Sequence, residues 1–371
     1  MSVPGTRGRL ATCAPPAPAR TSPSPVRGAP GAGRRPGAPM VRAMNPDVPL
    51  GVTIAALPSL GVPGALEVAA RAEAVGYHSF WTAEVTGAEA FSVLAAAGAV
   101  APTLGLGTGV LALQLRTPML AAMGAATLQA LHPDAEIVLG VGISSPVVTS
   151  RWHGAPYGDR PVERTREFVT LVKELLTGEA VTFEGEFHSC SRATLGVRLG
   201  ERRPKVVVGA LNPKMLRMAG EVADGVLLNY LPSTHVPWSV EQVRAGGDAA
   251  IYAYVHCSVS ERADGIDAAR RDLFSYAVVD SYARSFERAG FGDEVIAIRA
   301  AHAARDREGA LAAVSDRMVD AIDLMGDREA VAAYVQDYVD AGVEVPVLMP
   351  NPWGPDRMQV VDDTLRAAMG A

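Results

Sequence analysis

Three places in this sequence set a small polar residue before proline at what reads as the start of a helix: Thr117-Pro118, Ser144-Ser145-Pro146 and Asn212-Pro213. Ser, Thr and Asn cap helices through a side-chain oxygen, and proline is accepted at the first helical position because its missing N–H had no intrahelical partner. Taken singly, each is a cap. The third carries more, because Val208-Gly209-Ala210-Leu211 leads as an apolar strand end into Asn212-Pro213-Lys214. A helix starting there turns free N–H groups and a positive dipole end back toward the strand terminus, which suits a phosphate. Lys214, one of only three lysines with Lys173 and Lys205, adds a mobile cation.

The most pointed acid is Glu84, which closes the apolar stretch Phe80-Trp81-Thr82-Ala83. Such a carboxylate could orient a ligand or act as general acid or base if burial raises its pKa; it could equally cap Thr86 or pair with an arginine. His256, near the end of a later strand, could reach the same cavity. His78 begins its strand, and His132 and His153 read as turn or surface residues. Gly140-Val141-Gly142 and Gly105-Leu106-Gly107 open like dinucleotide fingerprints, but Ser145 and Val110 stand where the third glycine belongs. No Walker loop, Gly-x-Ser-x-Gly, His-Glu-x-x-His or Cys-x-x-Cys occurs. The three cysteines, Cys13, Cys190 and Cys257, are too scattered for a disulfide framework or zinc spacing, and no metal is expected.

The elements that must position these residues alternate. Eight short apolar runs without polar alternation predict strands buried on both faces: Leu50–Ala55, Ser79–Glu84, Leu104–Leu111, Glu136–Gly142, Lys205–Leu211, Gly225–Asn229, Ile251–Val259 and Val345–Pro350. Helical periods between them predict Leu66–Val75, Phe91–Val100, Pro118–Leu131, Val162–Leu176, Pro213–Val222 and Arg328–Ala341. Strand and helix in strict alternation give an α/β fold, and eight strands favour a closed (β/α)8 TIM barrel over an open doubly wound sheet. Long insertions follow the fourth strand, with a hairpin expected over Ala180–His188, and the seventh, which reads as mostly helical.

Of the 371 residues, 49% are hydrophobic and 20% charged, enough for a large core. The first 44 hold seven arginines, no acid, and much Pro, Ala and Gly, which predicts a disordered extension ahead of a barrel domain over 45–371. An upstream start codon accounts for it better than a nucleic-acid arm or a targeting signal, since no apolar run follows its charges. Taking those seven charges from the formal −6 leaves −13 on the rest, which argues against nucleic acid as partner. No run is apolar enough to span a bilayer, and a cytoplasmic protein is expected.

These residues resemble the bacterial luciferase-like superfamily of flavin and deazaflavin oxidoreductases. The likeness rests on Gly76-Tyr77-His78-Ser79-Phe80-Trp81-Thr82-Ala83-Glu84, on Leu104–Val110 followed by Arg116-Thr117-Pro118, and on Ala219-Gly220-Glu221-Val222-Ala223-Asp224-Gly225-Val226. Ile137–Pro146, followed by Arg151-Trp152-His153-Gly154, is especially similar to the branch that uses coenzyme F-420. The resemblance implies a deazaflavin or FMN across the barrel mouth, backed by a non-proline cis peptide at Gly109-Val110. Its phosphate contacts fall on Leu211, Asn212 and Lys214, with Asn229 and Tyr230 nearby and Gly142, Ser144 and Ser145 at the fourth strand's end. The implied activity is hydride transfer between coenzyme F-420 and a small organic substrate. The alternatives are an FMN-dependent two-component monooxygenase and a cofactor-binding protein without turnover; a homodimer is the family habit. The sequence departs from the family at Val85, where several relatives have histidine, at Ser145, where some have an acid, and at Ala135-Glu136 in place of Gly-Arg.

Overall fold

The computed structural model describes residues 47–54 and 60–370. The expected extension over 1–44 lies outside them, as does Ala55, the expected end of the first strand.

All eight expected strands form: β1 (Gly51–Thr53), β2 (Ser79–Thr82), β3 (Gly105–Thr108), β4 (Ile137–Gly142), β5 (Lys205–Gly209), β6 (Gly225–Leu228), β7 (Ala250–Val259) and β8 (Val345–Pro350). Each pairs in parallel with its neighbours in chain order, and β8 returns to β1 through Gly51↔Val347. The open-sheet alternative is thereby excluded. Two short parallel strands extend the barrel: Leu111–Ala112 resumes β3 along β4, and Asp323–Gly326 lies beside the C-terminal half of β7.

Around the barrel run α1 (Gly61–Val75), α2 (Ala90–Val100), α3 (Pro118–Leu131), α4 (Pro161–Leu175), α5 (Pro213–Val222) and α6 (Val236–Arg244). The insertion after β7 contains α7 (Arg262–Ala277), α8 (Asp280–Phe286), α9 (Gly292–Ala303), α10 (Arg307–Ala312) and α11 (Asp316–Ile322); then come α12 (Arg328–Asp340) and α13 (Arg357–Ala368). The helices α6 and α13 were not marked by the apolar pattern. The local signals work as physics requires: Gly76 ends α1 in the left-handed region at φ 98°, and the Thr117 hydroxyl accepts from Leu120 N–H at 3.1 Å. The hairpin runs longer than expected, with strands Val181–Glu184 and Ser189–Ala193. Its second strand is polar and mostly exposed, so it left no apolar signal.

Side chains from six strands fill the barrel interior: Trp81 from β2, Val138 from β4, Val207 from β5, Leu227 from β6, Tyr252 and Tyr254 from β7, and Val347 and Met349 from β8, while β3 contributes Gly107 opposite Trp81. A Cβ on Gly107 would sit 2.4 Å from the Trp81 ring, and one on Gly109 would sit 1.8 Å from the Tyr254 hydroxyl. On Gly140 it would meet the Thr108 carbonyl oxygen at 1.9 Å, a backbone atom that cannot step aside. Gly140→Ala is therefore expected to destabilise the fold by about 2 kcal/mol or more, as overpacked cores do. Gly196→Ala, which has open space around it, should be near neutral. Urea denaturation of the two variants beside the parent checks the pair.

Candidate active site

The C-terminal ends of the strands form one rim, where βα loops build barrel sites. On it the Gly109–Val110 peptide is cis, as the family resemblance implied. The Gly109 carbonyl accepts from the Tyr254 hydroxyl at 2.5 Å across the barrel, and its N–H donates to the Thr82 carbonyl at 2.8 Å. Below the half-buried Val110 lie Gly142 and Gly209, where Cβ atoms would come within 2.8 and 3.3 Å of its methyl groups. Val110 with three glycines makes a shallow apolar bed of a kind that suits a planar ring. The adjoining loop is fixed by side chains: the Gln114 amide accepts from Ser144 N–H at 3.2 Å, and the Ser145 hydroxyl accepts from Val148 N–H at 3.3 Å.

The junction of β5 and α5 differs from expectation in one respect. Asn212 does not cap α5, although its backbone is extended as a cap requires. Its side chain is drawn away by the insertion after β7: the amide N–H2 donates to the Ser281 carbonyl at 3.2 Å, and its oxygen accepts from Arg288 at 2.6 Å. Arg288 also donates to the Leu211 carbonyl at 3.3 Å. Among the described residues no side chain satisfies the first N–H groups of α5, and an exposed Lys214 stands beside them. These residues can hold an anion, with the helix dipole, a lysine and an arginine in one place. Partial burial, helped by Arg284, lowers the Arg288 pKa. Sequence reasoning missed Arg288 because it lies 76 residues from Asn212 in a helical insertion without a motif.

Glu84, just past the end of β2, is separated from that junction by β3 and β4 and is already committed. Arg116 grips it at two points, 2.9 and 3.3 Å, and Ala90 N–H donates to it at 3.4 Å. Both side chains are mostly buried, 16% and 15% exposed. Arg116 also reaches Glu89 at 2.7 Å. Of the readings open in the sequence, the geometry shows pairing with an arginine, in a two-point fork. His153 Nε2–H donates to the Val85 carbonyl, 2.5 Å away, which ties the same loop to the turn over Val147–Trp152. His78 is surface-exposed near Glu136, and His132 meets the Ala95 carbonyl.

Asn229 and Tyr230 part company. Asn229 stays half-buried at the rim, while Tyr230, at a left-handed φ of 50°, sends its ring into the core of the helical insertion beside Leu273, Phe286 and Met318. Its hydroxyl donates to Asp272 at 2.5 Å and its ring stacks 3.9 Å from Tyr276 and 4.3 Å from His256. Its side chain is thus spent on holding the insertion, leaving only its backbone to the rim.

The luciferase-like monooxygenase family profile matches residues 53–344. The closed barrel with these two insertions and this rim belongs to an oxidoreductase class, and the chain belongs to that family. Among curated relatives, the 5,10-methylenetetrahydromethanopterin reductase of Archaeoglobus fulgidus is 28% identical over 304 residues, covering 78% of this chain and 90% of that one. Among solved structures, the coenzyme F-420-dependent tetrahydromethanopterin reductase of Methanopyrus kandleri superposes with TM-score 0.72 at 23% identity, over 87% of this chain and 99% of its own. An F-420-dependent secondary alcohol dehydrogenase bound to an F-420–acetone adduct gives 0.65 at 19%, over 86% and 99%. At these identities the structures establish the fold alone. Among the described residues no helix is long and apolar enough to cross a membrane.

Burial, with the charge of Asp323, pushes the Asp272 carboxyl up to about 6. The folded protein then binds more protons than the unfolded chain between about pH 4 and 6, so stability falls as pH rises through that window. Asp272→Asn, neutral throughout, should lose this slope and gain stability relative to the parent above pH 6. Melting curves across pH 4–8 check it; a parent whose stability rises steadily over pH 4–6 while the variant's stays flat would contradict it.

Proposed function

We propose that this oxidoreductase transfers a hydride between coenzyme F-420 and a small organic substrate at the barrel mouth. The observation that carries the reading is the uncapped first turn of α5 between Lys214 and Arg288, on the same rim as the Val110 bed. That bed, formed with Gly109, Gly142 and Gly209, would take the ring, and Leu211, Asn212 and Lys214 the phosphate. The deazaflavin, when bound, supplies the hydride chemistry at its C5 position; the protein contributes position and electrostatics. Ser144, Ser145 and the backbone of Asn229 and Tyr230 complete the rim. Glu84 serves by holding Arg116 and the β2 loop in place, an orienting rather than a proton-carrying role. FMN is the second reading, favoured by membership in a family named for monooxygenases.

Titration separates the two, because bound deazaflavin and bound FMN differ in absorbance. F-420 should bind the purified protein and FMN more weakly, and binding of neither would end the proposal. Lys214→Glu should weaken F-420 at least about tenfold, the worth of one charge-assisted contact. Glu84→Gln should leave affinity within about threefold and lower the melting temperature. Loss of turnover in a well-folded Glu84→Gln protein would instead restore an acid–base role.

We further infer a cytoplasmic homodimer. The exposed side chains Leu120, Met123 and Leu131 of α3 line a groove of about 270 Å³ with Phe91 of α2 and Arg116. An apolar patch on two neighbouring barrel helices suits a two-fold, self-complementary contact. Leu120→Glu combined with Met123→Glu should turn a dimer into a monomer in sedimentation equilibrium; a parent that already sediments as a monomer removes the inference.

A further inference from the structure

Outside the bed and the anion junction, the rim carries a buried polar cluster that the proposed function leaves unused. His256 and Asp323 are 2% and 1% exposed. They sit opposite each other in register where the short strand Asp323–Gly326 joins β7. The imidazole Nδ1 stands 3.4 Å from Asp323 Oδ1, and its Nε2 is 2.8 Å from Asn229 Oδ1. Asn351 donates to the same Asp323 oxygen at 3.4 Å, while the other carboxylate oxygen and the imidazole Nδ1 are both buried without a hydrogen-bond partner, so the Nδ1–Asp323 approach is an ion-pair contact rather than a formed hydrogen bond.

The hydrogen-bond roles can be assigned from one fixed donor. The backbone N–H of Tyr230 donates to the Asn229 side chain at 2.9 Å, and an N–H can only meet the amide oxygen. That oxygen therefore also faces the His256 Nε2, which must carry a hydrogen. The opposite nitrogen faces a carboxylate, whose oxygens accept. A neutral imidazole protonated at Nε2 would set a lone pair against a buried charge, and among the described residues His256 is the ion-pair partner Asp323 has. The other titratable groups facing this pair are Asp272 and Tyr276 from α7, Tyr230 from the β6 loop, Tyr282 from α8, Tyr334 and Tyr338 from α12 and Cys257 from β7; Asp272 already has the Tyr230 hydroxyl.

We propose that His256 carries hydrogen on both nitrogens against Asp323, and that this buried pair is a positioning device that locks the Asn229 amide, so that its nitrogen is presented at the half-exposed rim for the bound cofactor or substrate. With its oxygen occupied by Tyr230 N–H and His256, the Asn229 amide nitrogen turns to the other side, where the Tyr282 hydroxyl is hydrogen-bonded to the same side chain. His256 is too deeply buried to touch a ligand itself and acts through Asn229. The role for Asn229 rests on the reading of the mouth as a cofactor site; the protonation of His256 does not.

Two measurements test it. In the apoprotein labelled with nitrogen-15 histidine, both His256 nitrogens should show protonated shifts at pH 7, and Asp323→Asn should convert Nδ1 to the unprotonated type. An unprotonated Nδ1 in the parent overturns the proposal, whether or not any cofactor binds. Fluorescence titration with F-420 then compares Asn229→Ala, His256→Leu and the double variant. Each single change should weaken binding about tenfold and the double no further, because both remove one contact. Asp323→Asn, whose amide can still donate to Nδ1 and keep the hydrogen on Nε2, should retain most of the affinity that Asp323→Leu loses. Independent losses that multiply to about a hundredfold, or no rescue by Asp323→Asn, would reduce the pair to a structural role. A parent that binds no F-420 while both nitrogens are protonated would fault the cofactor reading and leave the His256–Asp323 pair standing.

Discussion

The contact on which the site depends is the hydrogen bond that the Tyr254 hydroxyl donates across the barrel to the Gly109 carbonyl. It exists because residue 109 has no side chain, since a Cβ there would occupy the position of the hydroxyl. The same rule holds one layer down, where Trp81 fills the space that Gly107 leaves. The rings of Trp81 on β2 and Tyr254 on β7 thus face Gly107 and Gly109, and Val138 and Val207 fill the interior from β4 and β5. A barrel packed in this way has a solid interior and leaves the half-buried Val110 at its mouth.

The helical insertion after β7 completes what the barrel begins. It has its own core, in which Tyr230 is the one contribution from the rim of β6, and it sends Arg288 and the Ser281 carbonyl down onto Leu211 and Asn212. The side chain of Asn212 is consequently taken from α5, and the helix keeps open donors beside two cations. Burying Tyr230, Asp272, His256 and Asp323 together costs solvation, which the Tyr230–Asp272 hydrogen bond and the His256–Asp323 contact offset in part. A cluster of this kind fixes directions more than it adds stability, which is why the orientation of Asn229 can be read from it.

Much of the fold was legible because strands buried on both faces are uniformly apolar and their helices carry local stop signals. The bounds of Pro118–Leu131, Pro213–Val222 and Val345–Pro350 agree residue for residue. The hairpin was only half visible, since the strand Ser189–Ala193 is polar and exposed and no pattern marks it. Within the site, the cis peptide at Gly109–Val110 and the helix start at Pro213 could be located in advance. The partner of Glu84 could not be chosen among capping, pairing and catalysis, and Asn212 was assigned a capping role that it does not perform.

By itself the sequence determined the alternation of strands and helices, the eightfold count that closes the barrel, and the helix start at Pro213. Each is set by neighbours within a few residues, through periodicity, capping and the geometry of proline and glycine. Only tertiary structure decided that Arg116 grips Glu84, that Arg288 reaches Asn212, and that Asp323 stands behind His256. Those pairs are separated by 32, 76 and 67 residues. Charge and hydrogen bonding act over a few ångströms of space, and no local pattern records which distant side chains the closing barrel will bring that near.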